Sequence, residues 1–410
     1  MNDRQQVRAW PKIAAALMVA GITSSARGQE PILIQHNTDT VVVGAERTAV
    51  YLPLVHGQRV AVVTNRTGMI GGRHLVDSLL TLQVNVVKVF GPEHGFRGDA
   101  DAGEHMNDGK DPQSGLPVVS LYGDQKHRKP SPEQLSDVDV LIYDIQDVGV
   151  RFYTYMSTLH YVMEAAMENG KKVIVLDRPD PNGFYVDGPV LDPAYRSFVG
   201  MHPVPIVHGM TAGEYARMIN GEGWLKGGRK CDLTVIACEG YTHSMFYEPP
   251  VRPSPNLPNI PAIYLYPSLG LFEGTIVSMG RGTDLPFQCI GFPGNRVGQY
   301  HFTPQSMPGA KDPPHKGQLC TGLDLQAYGG FQSRMEKHLR LHWLIGFYAE
   351  AADKAAFFNS FFDKLAGGSD LRERIVRGED EDTIRASWQP ALKAFRSVRK
   401  KYLLYEDFKN

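Results

Sequence analysis

Runs of β-branched and apolar residues recur through the first half of the chain, and each stops at a polar cluster. RVAVVT (59–64) ends in Asn65, Arg66, Thr67 and Gly68, and VNVVKVF (84–90) ends in Gly91, Pro92, Glu93 and His94. VDVLIYD (138–144) runs into IQDVGVRFYTY, and KKVIVLD (171–177) runs into RPDPNG. Helical patterns separate them, HLVDSLLTL (74–82) and YTYMSTLHYVMEAAMENG (153–170) among them. Near-continuous apolar strands alternating with helices predict an α/β fold, a Rossmann-like, mostly parallel sheet covered on both faces.

In such a sheet ligands bind beyond the carboxyl ends of the strands. The polar clusters therefore converge on one rim, bringing Asn65, Glu93, His94, Asp144, Gln146, Asp147, Arg151 and Arg178 toward one crevice. Each has a plainer reading. Asp144 or Asp147 can cap the helix that starts near Phe152. Asp180 and Asn182, around Pro181, look like turn residues. Glu93 is either a catalytic acid or a carboxylate that holds His94. Together the set points to a polar active site. No G-x-G-x-x-G or G-x-x-x-x-G-K-[ST] follows a strand, so nothing supports a dinucleotide or nucleoside triphosphate, and no cofactor is expected.

Residues 1–28 read as a secretory signal peptide: Arg4, Arg8 and Lys12 precede the short apolar run 13–22, and small residues follow. The expected location is periplasmic or secreted, without stable membrane insertion. About 380 residues then remain, enough for two domains: a catalytic domain over 45–240 and a smaller mixed α+β domain over 241–410 that closes the cleft. The formal net charge of -1 and the lack of a basic tract argue against nucleic acid. Cys231, Cys238, Cys289 and Cys320 permit disulfides without demanding any.

In the second half, Thr211 and Glu214 form a capping box for a helix, with His208 and Gly209 just before it. Prolines crowd 249–267, read as an ordered loop across the site mouth with Asn256 facing inward. Glu273 stands in an apolar, glycine-rich stretch, where a carboxylate needs a partner or a substrate. Arg281 and Asp284 are expected to pair and hold that wall. Ile384, Trp388, Leu392 and Phe395 recur at helical spacing, with the basic residues of that helix on a solvated face.

VVTNRTG (62–68), VFGPEHGFRG (89–98), YDIQDVGVRFYTY (143–155), LDRPDPNG (176–183) and GMTAGEYA (209–216) together resemble the bacterial exo-β-N-acetylmuramidase family. SPNLP (254–258), FEGTIVSMGRGTDLPF (272–287) and KYLLY (401–405) extend the resemblance from about residue 45 to the C-terminus. It implies a Rossmann-like domain joined to a smaller one. It also implies removal of terminal β-1,4-linked N-acetylmuramic acid from the non-reducing end of peptidoglycan fragments. The family's catalytic glutamate falls on Glu93, its neighbouring histidine on His94, and the YDIQDVG carboxylates on Asp144 and Asp147.

Glycoside hydrolysis needs a protonated carboxyl at the leaving oxygen and a second group for water or the sugar cation. Apolar and glycine surroundings favour a protonated Glu93. Asp147 or Glu273 is expected to be the second group and Asp144 a positioning residue, unless the 2-acetamido group assists. The lactyl carboxylate of muramic acid needs a cation, for which Arg97, Arg151 and Arg178 are candidates. Asn65, Gln146, Tyr153, His208, Asn256 and Arg281 complete the expected substrate lining. One rival is a metal-dependent amidase or deacetylase with His94, Asp144, Asp147 and His208 as ligands. The other is a non-catalytic glycan-binding protein that relies on Tyr153, Tyr155 and Tyr264.

Overall fold

A computed structural model describes residues 41–93, 95–97, 108–122 and 128–409. The expected leader, 1–28, and His94 lie outside the described residues. Six strands run parallel: β1 (Val60–Thr64), β2 (Val86–Gly91), β3 (Pro117–Ser120), β4 (Val140–Asp144), β5 (Lys172–Leu176) and β6 (Asp232–Ile236). Their spatial order is β3-β2-β1-β4-β5-β6, the Rossmann order, with the short strand Gly109–Lys110 antiparallel on the β3 edge. Every residue of β1 and β4 is buried, which is why these strands read as unbroken apolar runs.

The order reverses between β1 and β4, where Thr64 lies opposite Asp144. That crevice would take a dinucleotide in a cofactor-binding member of the fold. Here the chain fills it. Asn65 Oδ1 accepts from the Thr67 amide and hydroxyl, and Thr67 Oγ1 accepts from the Gln146 amide at 2.9 Å. Arg178 donates to both oxygens of Asp144, at 2.6 and 2.9 Å, and to the Met69 carbonyl. Gly68 closes the plug, since a Cβ there would stand 2.1 Å from Thr64 Oγ1.

Helix α1 (Tyr155–Glu168) follows β4, and α2 (Ala212–Gly221) follows β5. The capping box of α2 is present: Thr211 Oγ1 accepts from the Glu214 amide. Asp177 adds to it, accepting from the Gly213 amide and the Thr211 and Tyr405 hydroxyls.

The proline-rich stretch departs from expectation. Residues 249–259 are irregular, but Ile260–Leu269 is a helix, α3. Pro261 lies in its first turn, where no N–H is needed. Pro267 leaves the carbonyl of Ile263 without its usual helical donor, and Asn182 Nδ2 reaches it at 3.2 Å. Asn182, which read as a turn residue, thus also supports a helix in the second half.

The smaller second part holds a three-stranded antiparallel sheet, β7 (Cys289–Phe292), β8 (Tyr300–Phe302) and β9 (Cys320–Asp324), in the order β7-β9-β8. Helix α4 (Phe362–Ala366) ends at Gly367, whose φ of 84° suits glycine, and α5 (Glu381–Arg399) buries Ile384, Trp388, Leu392 and Phe395 as the spacing predicts. Not all basic residues of α5 are solvated. Arg399 is 2% exposed and donates to the Gly209 carbonyl and to Asp407. One apolar cluster runs from Ala61 to Phe395, joining both sheets' surroundings. The four cysteines are buried and free. Among the described residues no helix is long and apolar enough to cross a membrane.

Candidate active site

Glu93 sits in a tight turn at the end of β2, closed by a bond from the Gly95 amide to the Pro92 carbonyl at 2.9 Å. Gly95 has φ of 73°, which a larger residue would resist. The turn aims Glu93 at the start of α1. There Thr154, in the N-cap position, gives its hydroxyl to Glu93 Oε2 at 2.8 Å instead of capping the helix. Tyr122 also hydrogen-bonds the Glu93 side chain; burial first, then the Glu93 charge, pushes its phenol up. The setting is thus hydroxyl-rich, not the apolar shell expected from the glycines.

Glu93 lines a cavity of about 710 Å³. Glu273 lines it too, from the short 3-10 turn Gly270–Gly274. The flanking glycines explain how that turn is held. A Cβ on Gly270 would stand 2.3 Å from the Phe152 ring, and one on Gly274 would stand 2.4 Å from Phe362 Cα. Arg281 Nη2 lies 3.3 Å from Glu273 Oε1, replacing the expected pairing with Asp284. Burial opposes the Arg281 charge, yet Glu273, then Tyr266 and Glu93, hold its pKa above the ordinary value. Arg128, Arg196 and Lys364 also reach this cavity, with Phe152, Tyr266 and Phe198 on its walls.

The structure thus brings Glu93, Glu273 and Arg281 together, and sets the other expected site residues that it describes apart. Arg97 pairs with Asp111 at 2.7 Å and Asp77 at 3.3 Å, anchoring the Glu93 loop to the sheet edge. Arg151 is 3% exposed and spends its guanidinium on the carbonyls of Pro189, Val204, Leu365 and Ala366. Arg178 and Asp144 are consumed by each other beneath the plug. None of these three arginines lines the cavity with Glu93. Asn65 and Gln146 belong to the same buried packing, Gln146 Nε2 donating to the Asp147 and Pro179 carbonyls. The Tyr153 hydroxyl donates to Pro253 O, and Asn256 donates to Gly309 O beside a different cavity.

Asp147 and His208 are buried behind the site. Asp147 Oδ2 accepts from the Gly149 amide at 2.7 Å, while His208 Nε2 stands 4.0 Å away. Burial pushes the Asp147 carboxyl up to about 7. Burial, with the charges of Arg399, Arg151 and His243, brings His208 down to about 3. Among the described residues no group of three His, Cys, Asp or Glu side chains is placed to hold a metal.

Sequence reasoning missed Thr154, Tyr122, Arg128, Arg196 and Lys364. Thr154 alone carried a signal, standing at the start of the helical pattern 153–170, where the structure makes it the N-cap residue. The others come from loops and a helix whose approach to Glu93 is purely tertiary.

Residues 60–261 match the N-terminal model of the exo-β-N-acetylmuramidase NamZ family, and 264–405 match its C-terminal model. The chain belongs to that family. A curated relative, the peptidoglycan β-N-acetylmuramidase NamZ of Bacillus subtilis (strain 168), is 40% identical over 378 residues, 87% of this chain and 89% of that protein. Two crystal structures of DUF1343 family proteins from Bacteroides fragilis NCTC 9343 are also similar. One, 48% identical, has a TM-score of 0.83; the other, 31% identical, has a TM-score of 0.73. Each covers 90% of this chain and 99% of its own.

Proposed function

We infer that this protein is an exo-β-N-acetylmuramidase, hydrolysing the terminal non-reducing β-1,4-linked N-acetylmuramic acid of peptidoglycan fragments. Family membership supports the reaction class. The observation that carries the site assignment is the placing of two carboxylates, Glu93 and Glu273, on the wall of one cavity that also holds four cationic side chains. Its volume falls in the range of small-ligand sites, roughly 300–1,000 Å³.

In this reading Glu93 protonates the leaving glycosidic oxygen, and Thr154 and Tyr122 fix its carboxyl. Glu273, aimed by Arg281, activates water or stabilises the sugar cation; if the 2-acetamido group assists, Glu273 orients it instead. Glu273 is preferred over Asp147 because Asp147 does not reach the cavity. Asp144 supports the rim from beneath. The 1–28 leader supports export to the periplasm or beyond, which an N-terminus near Gln29 on the exported protein would bear out and an intact Met1 would refute.

The deciding experiment offers the purified chain a chromogenic β-N-acetylmuraminide and the matching glucosaminide, with and without chelator. Faster turnover of the muraminide, unaffected by chelator, is expected. Loss of activity with chelator would favour the metal-dependent alternative, and no turnover of either sugar would favour a binding protein.

A further inference from the structure

Among the described residues, the cavity lining holds more positive than negative side chains. Glu93 and Glu273 face Arg128, Arg196, Arg281 and Lys364, and Arg281 is taken by Glu273. Arg128 lies over the Phe198 ring, which leaves Arg196 and Lys364 as the cations to account for.

Arg196 stands out by how it is held. Its Nη2 donates to His160 Nε2 at 3.3 Å. A guanidinium can only donate, so this bond fixes the tautomers behind it. His160 carries its proton on Nδ1 and donates to His202 Nε2 at 3.0 Å. His202 then donates from Nδ1 to the Tyr215 oxygen at 3.1 Å. Both imidazoles are buried, and His202 stacks on Trp224 with ring centroids 4.5 Å apart. Burial brings His160 down to about 4 and His202 well below its ordinary value, so neither repels the arginine near neutral pH. Glu164, 3.7 Å from His160 Nε2, is itself bound by Lys129. A rigid, uncharged relay thus orients an exposed guanidinium at the cavity wall. Lys364, on α4, reaches the same cavity from the second part of the chain. Among the described residues neither Arg196 nor Lys364 has a carboxylate partner.

We propose that Arg196 and Lys364 together bind the lactyl carboxylate of the muramic acid ring and so set the preference for muramic acid over glucosamine. This rests on the muramidase reading above for the identity of the sugar. Arg196 supplies the oriented fork. Lys364 supplies a mobile point charge, so the bound carboxylate bridges the Rossmann-like part and the second part of the molecule. The three arginines expected from the sequence cannot do this, being bound elsewhere.

The test is calorimetric titration of N-acetylmuramic acid and N-acetylglucosamine into wild type, Arg196→Gln and Lys364→Gln, beside kcat/KM on the two chromogenic glycosides. Both side chains are exposed, so both variants should fold. Wild type should prefer the muramic sugar, and each variant should lose about 10- to 100-fold of that preference, the weight of a charged hydrogen bond. Full preference in both variants overturns the assignment. So does equal weakening toward both sugars, or a wild type without preference. If wild type cleaves neither glycoside yet titration shows the preference and its loss, the hydrolase reading fails while the carboxylate site stands.

Discussion

Thr154 Oγ1 donates to Glu93 Oε2 at 2.8 Å from the N-cap position of α1. The helix gives up a cap, and the catalytic candidate gains a fixed orientation. Thr154→Val should keep the fold and lower kcat about 10- to 100-fold, the loss of one hydrogen bond to an ionisable group. Thr154→Ser should recover most of it. A Val variant with full kcat would show that Glu93 is oriented by other groups.

Glu93→Gln removes the transferable proton while keeping size. On a natural disaccharide kcat should fall by roughly 10²–10⁴-fold. On a glycoside with a very good leaving group the deficit should shrink, because little protonation is then needed. Near-wild-type kcat on the disaccharide would move the acid elsewhere, with Glu273 the first replacement to test.

The Glu273–Arg281 pair should act as a unit. Glu273→Gln and Arg281→Met should each depress kcat, and the double variant should be less impaired than the product of the two. A coupling of about 0.5–3 kcal/mol is expected for residues in contact. Strict additivity in the double-mutant cycle would separate their roles.

Asp144→Asn should act on stability. It leaves Arg178 buried without its counter-charge, which costs about 3–5 kcal/mol. Denaturant unfolding measures this, and the folded fraction should retain kcat on a substrate that Glu93→Gln processes poorly. An inactive yet fully stable variant would restore Asp144 to the chemistry.

Asp147 gives a pH signature. Its folded pKa of about 7 lies above the ordinary 3.8. Between those values the folded state keeps a proton that the unfolded state has released, so this group's contribution falls as pH rises through the window. His208, neutral in the fold down to about 3, acts oppositely below its unfolded value. Comparing Asp147→Asn with wild type isolates the carboxyl. The variant should gain relative stability from pH 4 to pH 7, by up to about 1.4 kcal/mol per pH unit. A pH-independent difference between the two would refute the raised pKa.

The strand pattern carried most of the fold because buried parallel strands have no polar face to blur them. Glu93 was legible for a related reason: a strand end places the next few residues on the rim. Arginine roles were not legible. Arg97 meets Asp111, Arg178 meets Asp144, and Arg151 meets four carbonyls, and nothing local distinguishes such an arginine from one facing a substrate. Arg196 depends on His160, 36 residues away along the chain, which in turn meets His202, 42 residues from it, a relation that only packing creates. The α3 helix hid behind its prolines because its missing donor comes from Asn182, 81 residues away.

The filled crevice between β1 and β4 has a consequence for how such a protein can diversify. In nucleotide-binding relatives of the fold, the centre of the sheet must serve ligand and stability at once. Here the centre is sealed by Asp144, Arg178 and the Thr67 loop, and the working cavity draws on the end of β2, the start of α1 and the turns of the second part. Loops around Glu273, Arg196 and Lys364 can therefore drift toward new glycans without loosening the sheet. Laboratory selection for altered sugar preference should accordingly accumulate changes in those segments and leave the central plug alone.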